Sequence, residues 1–203
     1  MVIAATLAPV GAALLVIAAY LLGTFPTALL VTRHRGVDPT QAGSGNPGAT
    51  NVLRTSGKLA GAVTLAGDLA KGAAAAGVGW AAGGHGLGVA CGVAAVVGHV
   101  LPATRGFRGG KGVATGAGMA LVLYPGAAAA AAVVFGLTVA VYRKASLGSI
   151  AAVSTLPLGV AFRGAPPLEV AAVAVCAALI VARHRDNIVR LVRGTEPRLG
   201  AGS

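Results

Sequence analysis

Three stretches of the chain, residues 1–32, 72–104 and 112–142, contain no lysine, arginine, aspartate or glutamate. A helix needs about 20 predominantly apolar residues to cross a bilayer, so each stretch is long enough for at least one crossing. Lipid has no water to pair with backbone groups, and an α-helix satisfies its own. The rest of the composition agrees: 56% of the 203 residues are hydrophobic and 10% charged, against about 25% charged in soluble domains. Residues 1–32 lack the basic start of a secretory signal, and their apolar run exceeds the usual ~7–15 residues. We read them as a retained helix.

Dividing the apolar runs gives seven spans, at residues 7–31, 59–80, 87–98, two within 112–142, then 150–162 and 168–181. Pro26 is expected to bend the inner end of the first. Proline stops a helix, and Tyr124-Pro125-Gly126 separates the fourth span from the fifth. The fold expected is all-α: one domain over residues 1–203, a polytopic bundle of seven transmembrane helices. The 32 glycines let such helices approach closely. Cys91 and Cys176 lie in separate apolar segments, which suits packing and makes neither a disulfide framework nor a metal motif.

Loop charge orients the bundle. Residues 33–58, 99–111, 143–149 and the tail 183–203 fall on one side and carry fourteen of the lysines and arginines, while Arg163 alone falls on the other. Basic loops stay in the cytoplasm, so the N-terminus is expected outside and the C-terminus inside, in a multi-pass cell-membrane protein. The same bias accounts for the net charge of +11. Nucleic acid is not the expected partner, because no basic run is interleaved with aromatics for base stacking.

The unusual chemistry sits in those inner segments, which are expected to form the active site. In Gly43-Ser44-Gly45-Asn46-Pro47-Gly48-Ala49-Thr50-Asn51, glycines can turn the backbone and aim N–H groups at an anion beside a helix start. Ser44, Asn46, Thr50 and Asn51 add side-chain donors, and Arg54 a bidentate one. Read from composition alone, this stretch is equally an ordinary capped loop. Lys111 stands between Gly110 and Gly112 at the mouth of a helix, where an ammonium opposes the helix dipole unless an anion is present. His99 ends a span. Arg143, Ser146 and Ser149 open the next helix, and His184, Asn187 and Arg190, spaced by three, share one helix face. Asp68 and Lys71 lie inside the second span, where ionisable groups are costly and either functional or paired.

At motif level the chain resembles the bacterial acyl-phosphate:glycerol-3-phosphate acyltransferase family. The resemblance rests on residues 43–54, Asp68-x-x-Lys71-Gly72, Gly98-His99-x-x-Pro102, Phe107-x-Gly109-Gly110-Lys111-Gly112-Val113-Ala114-Thr115, Arg143-x-x-Ser146-x-x-Ser149, His184-x-x-Asn187-x-x-Arg190 and the tail Gly194-Thr195-Glu196-Pro197. It implies a seven-helix membrane enzyme that moves an acyl group from acyl phosphate to the 1-hydroxyl of glycerol 3-phosphate, without a cofactor or metal. The products are lysophosphatidic acid and phosphate, the first committed step of phospholipid synthesis. Carried over, residues 44–51, with Ser44, Gly45, Asn46, Gly48, Thr50 and Asn51, would hold the acyl-phosphate headgroup. Arg54, Lys111 and Ser149, with Gly110 and Ser146 beside them, would grip the acceptor's phosphate. His184 and Asn187 would lie at its hydroxyl. The expected catalytic set is Asn46, Lys111, His184 and Asn187, while Asp68, Lys71, His99, Arg143 and Arg190 support it. Gly148 departs from the pattern, standing where the family commonly has a second serine. No Gly-x-Ser-x-Gly elbow or His-x4-Asp motif occurs. The rival reading is a small organophosphate transporter, whose polar site would lie near the midplane on broken helices.

Overall fold

The computed structural model describes residues 8–200. Among them the chain forms ten α-helices, one 3-10 turn and no strand: α1 Pro9–Gly23, α2 Thr27–Arg33, α3 Ala49–Ser56, α4 Lys58–Gly83, α5 His85–Val100, the turn Ala103–Arg105, α6 Val113–Leu123, α7 Pro125–Tyr142, α8 Ala145–Phe162, α9 Pro167–Ala182 and α10 Arg185–Val192. Four helical segments are long and apolar enough to cross a membrane: Pro9–Arg33, His85–Arg105, Pro125–Tyr142 and Ala145–Phe162. A fifth arises if α9 and α10, bent by 58°, count as one. Helix α4 spans 26 residues but carries Lys58, Asp68 and Lys71, and α6 has only 11 residues.

The expected segments recur with shifted ends. Proline has no N–H and cannot continue a helix ladder, so Pro26 parts α1 from α2 and Pro125 opens α7 just after Tyr124. The first expected span begins at residue 7, which lies outside the described residues. The second and third spans lengthen until only Gly84, at φ +83°, separates α4 from α5. Helix α8 begins at Ala145, five residues earlier than expected, so Ser146 and Ser149 stand on a helix and not in a loop. The polar segment 33–57 also contains α3. These helices replace loop because a backbone at the membrane surface still gains by pairing internally.

Small residues face inward. Gly72 lies against the carbonyl of Thr115, and Gly118 against that of Leu69, so α4 and α6 touch backbone to backbone. Gly23 and Gly98 bring α1 and α5 together in the same way. Larger side chains such as Leu14, Leu137, Val141 and Val175 point outward, the distribution expected when the surroundings are as apolar as leucine. Met119, Val96, Val100, Val160 and Val173 fill the centre. Cys91 and Cys176 are free and buried.

One consequence positions the site. His99, in the last turn of α5, lies beside Asp68 of α4. Residues 58–67, about 15 Å of helix at 1.5 Å per residue, therefore extend beyond the end of α5. There α4 meets α2 through Gly67 and Thr27, and α3 through Gly61 and Leu53. Asp68 and Lys71 are thus not isolated at mid-depth, as their place in the second span suggested. They sit level with the end of α5 and the α1–α2 break.

Candidate active site

The segment between α5 and α6 folds as a strap. Gly106 and Gly112 take φ of +57° and +87°, and Phe107 follows at +62°. The N–H of Gly110 donates to the His99 carbonyl at 3.0 Å, and the His99 ring lies where a Gly110 side chain would be. Gly109 presses on the same turn, and its carbonyl accepts from Arg183 Nη2 at 3.0 Å. Glycine at 109 and 110 is what lets the strap lie flat on α5. It delivers Lys111 toward α10.

Lys111 Nζ donates to Asn187 Oδ1. Asn187 Nδ2 in turn donates to Glu196 Oε1 at 2.7 Å, Ser146 Oγ to the same oxygen at 2.6 Å, and Arg190 Nε to Glu196 Oε2 at 2.7 Å. Three donors from α8 and α10 therefore converge on one carboxylate, and Lys111 joins them through Asn187. Burial lowers the Lys111 pKa to about 8, with Arg190 and Arg183 adding repulsion and Glu196 and Asp186 opposing it. At pH 7 that leaves about ten ammonium forms per amine. Glu196 is only 9% exposed. Burial raises its pKa, but the bonds from Ser146, Asn187 and Arg190 outweigh that and hold it below the usual value.

His184 precedes α10 and is 2% exposed. Its Nδ1 lies 2.8 Å from the Ile180 carbonyl. A carbonyl can only accept, so Nδ1 bears the proton. Burial, helped by Lys111, pushes the ring's pKa down to about 4. The ring is therefore neutral at pH 7, and Nε2 carries a free lone pair. A hydroxyl can donate to it.

A second group adjoins the first through Gly110 and His99. Lys71 Nζ lies 2.9 Å from Asp68 Oδ1 and donates to the Phe25 carbonyl, at the Pro26 break, at 3.2 Å. His99 Nδ1 is 3.6 Å from Asp68, an electrostatic contact too long for a hydrogen bond. Both helix residues are buried. The pairing makes them a brace between α1, α4 and α5 under the strap.

The loop before α3 differs from expectation in one respect. Asn51 is buried, and its amide is fully engaged: Oδ1 accepts from the Ser44 N–H at 2.9 Å, while Nδ2 donates to the Pro39 and Ala42 carbonyls at 2.9 and 3.0 Å. Asn51 shapes the loop and is not free to grip a ligand. The N–H groups of Gly45 and Gly48 also bond within the loop, so they do not fan toward an anion. Gly45, at φ +69°, serves the turn. What remains outward is exposed Ser44 and Thr50, half-buried Asn46 against Gly48, and the first N–H groups of α3. Arg54 is half-buried on α3.

Three further expectations change. Ser146 is buried and its hydroxyl is engaged by Glu196. Ser149 Oγ donates to the Ala145 carbonyl at 2.9 Å, leaving only its lone pairs outward. Arg143, at φ +57°, ends α7 with its side chain exposed, and its carbonyl accepts from the Leu199 N–H. Its backbone thus anchors the tail. Gly148 packs on α7 at Phe135 and Val139, where a side chain has no room, which explains the absent serine. Sequence reasoning quoted Glu196 only within the tail motif and passed over Arg183. The available signal was scarcity, since Glu196 is one of five acids in the chain.

A model of the family described as glycerol-3-phosphate acyltransferase matches residues 13–194. The chain belongs to that family. It is 43% identical to the glycerol-3-phosphate acyltransferase of Halorhodospira halophila over 190 residues, covering 93% of this chain and 96% of that one. It is 46% identical to that of an Anaeromyxobacter species over 193 residues, covering 91% and 95%. Its fold matches the crystal structure of PlsY (YgiH), an integral membrane glycerol 3-phosphate acyltransferase, in the glycerol 3-phosphate form, with a TM-score of 0.90, 38% identity, and 94% and 96% coverage. The lysophosphatidic acid form of the same protein matches with a TM-score of 0.87. Like PlsY, this chain is an integral membrane protein.

Proposed function

We propose that this chain transfers an acyl group from acyl phosphate to the 1-hydroxyl of glycerol 3-phosphate, releasing lysophosphatidic acid and inorganic phosphate. The observation that carries the reading is the Lys111 ammonium bonded to Asn187, with a neutral His184 one turn earlier whose Nε2 can accept a hydrogen bond, in a chain of this family. An ammonium suits a phosphate, and a bare imidazole nitrogen suits a hydroxyl. Lys111, with Arg54 and the outward oxygen of Ser149, holds the acceptor's phosphate. Asn46 and the start of α3, with Ser44 and Thr50, receive the donor headgroup.

In the reaction the acceptor oxygen attacks the acyl carbonyl carbon, and the carbon–oxygen bond to phosphate breaks. Asn46 and nearby N–H groups stabilise the charge that develops on the carbonyl oxygen. His184 has too low an affinity to store the hydroxyl proton, so it orients the hydroxyl, and the proton passes to an oxygen of the departing phosphate. No acyl-enzyme is required.

The bundle is read as seven crossings: α1 with α2, then α4, α5, α6, α7, α8 and α9. The loop charges support an outside N-terminus and a cytoplasmic site in the cell membrane, and all 203 residues are read as one acyltransferase domain. The transporter alternative is disfavoured because the Lys111 and Asp68 groups adjoin at one end of the bundle. The test is to incubate the purified chain with acyl phosphate and labelled glycerol 3-phosphate. Lysophosphatidic acid and phosphate should appear in equal amounts; no product would defeat the reading.

A further inference from the structure

We infer that Glu196 is a positioning residue for acyl transfer: from the tail, it fixes the Asn187 amide so that its oxygen, and not its NH2, faces Lys111. The inference rests on the acyltransferase reading above. An amide side chain has a donor end and an acceptor end of nearly equal shape. Asn187 lies between an ammonium, which can only donate, and a carboxylate, which can only accept. With Nδ2 on Glu196 Oε1 at 2.7 Å, Oδ1 must face Lys111. If the carboxylate is removed, only the Lys111 ammonium still favours that orientation, and the amide loses the bond that holds its NH2 end in place. Its flipped form sets NH2 against the Lys111 ammonium.

The same carboxylate joins the parts of the site. Ser146 comes from the first turn of α8, Asn187 and Arg190 from α10, and Lys111 from the strap before α6. Glu196 is also the carboxylate hydrogen-bonded among these cations, and it favours the charged state of Lys111. The tail backbone is held independently of its carboxylate. Gly194, at φ +73°, reverses the chain, the N–H groups of Thr195 and Glu196 donate to the Arg190 carbonyl at 2.8 and 3.2 Å, and Leu199 is tied to Arg143. A glutamine at 196 therefore keeps shape and tail while removing charge. Whichever way its amide turns, NH2 meets one of three donors.

The experiment uses the full chain in detergent micelles with acyl phosphate and labelled glycerol 3-phosphate. It compares wild type, Glu196→Gln, Asn187→Ala, the double variant and Glu196→Asp. Glu196→Gln should lower kcat about tenfold or more, as loss of an oriented donor does, with the KM for acyl phosphate little changed. The alkaline limb of its pH–rate profile should move to lower pH, because Lys111 has lost the carboxylate that most favours its charged form. The double variant should be no slower than Asn187→Ala, since residues acting as a unit are not additive. Glu196→Asp keeps the charge, so it should show a wild-type alkaline limb with reduced kcat; it decides the matter should the glutamine variant not fold. An unmoved limb, additive losses, or full kcat in Glu196→Asp would overturn the inference. A wild-type protein that makes no lysophosphatidic acid defeats the acyltransferase reading itself, whereas an active wild type with an indifferent Glu196→Gln defeats this inference alone.

Discussion

Replacing Lys111 with alanine removes the ammonium that the strap carries to Asn187. At an effective dielectric of ~20, two unit charges about 4 Å apart interact by about 4 kcal/mol. Loss of one oxyanion donor in comparable sites costs about 3 kcal/mol. At about 1.4 kcal/mol per tenfold, Lys111→Ala should lower kcat/KM for glycerol 3-phosphate by roughly 10²–10³-fold. Stability should barely change, because two effects oppose. Asn187 Oδ1 loses a partner, costing about 1 kcal/mol, while the fold no longer buries a charge. The depressed Lys111 pKa shows the sign of the second effect: the unfolded chain binds this proton more tightly than the folded one, so the charge destabilises the fold below pH 8. Initial rates of lysophosphatidic acid formation, paired with a thermal unfolding midpoint, make the comparison. Activity within about threefold of wild type, well under the loss expected for one charge contact, would show that Lys111 is only an interfacial anchor.

Three other outcomes follow from the same geometry. His184 has a folded pKa near 4 against 6.5 for the free ring, so the unfolded chain takes up protons first on acidification and stability should fall between pH 6.5 and 4; in His184→Gln this component of the acid dependence of the unfolding midpoint should vanish. Gly148→Ser would drive a side chain into Val139 and the Phe135 carbonyl, an overpacking cost of about 1–3 kcal/mol; an unchanged unfolding midpoint would show that α7 and α8 can part freely. Cysteines introduced at Gly84 and at Ser203, the latter beyond the described residues, should label from opposite sides of the membrane, and labelling of both from one side would overturn the orientation.

Much of the fold was legible because charge-free runs have few alternatives in a membrane. Proline at 26 and 125 marked two breaks for a reason the sequence states openly, the missing N–H. Helix ends were less legible, since Ser146-Leu147-Gly148-Ser149 reads as a polar loop yet forms the first turn of α8, and α4 continues to Gly83 where glycines suggested a loop. The candidate residues Lys111, His184, Asn187 and Arg190 stood out by their types and spacing, and three of them meet at one carboxylate or its partner. The role of Asn51 was not, because an asparagine that organises a loop and one that grips a ligand look alike until its hydrogen bonds are seen. Glu196 was hidden by distance along the chain: nothing in the spacing ties it to Ser146, 50 residues earlier. Asp68 and Lys71 looked buried at mid-depth because helix length alone says nothing of where the neighbouring helix ends.

The central claim concerns the donor, and one comparison on one preparation tests it. The purified wild-type chain is given labelled glycerol 3-phosphate with acyl phosphate in one reaction and acyl-CoA of the same chain length in another. A compact headgroup held by Asn46 and the start of α3 predicts efficient lysophosphatidic acid formation from acyl phosphate and little from acyl-CoA. Turnover with acyl-CoA and none with acyl phosphate would contradict the account.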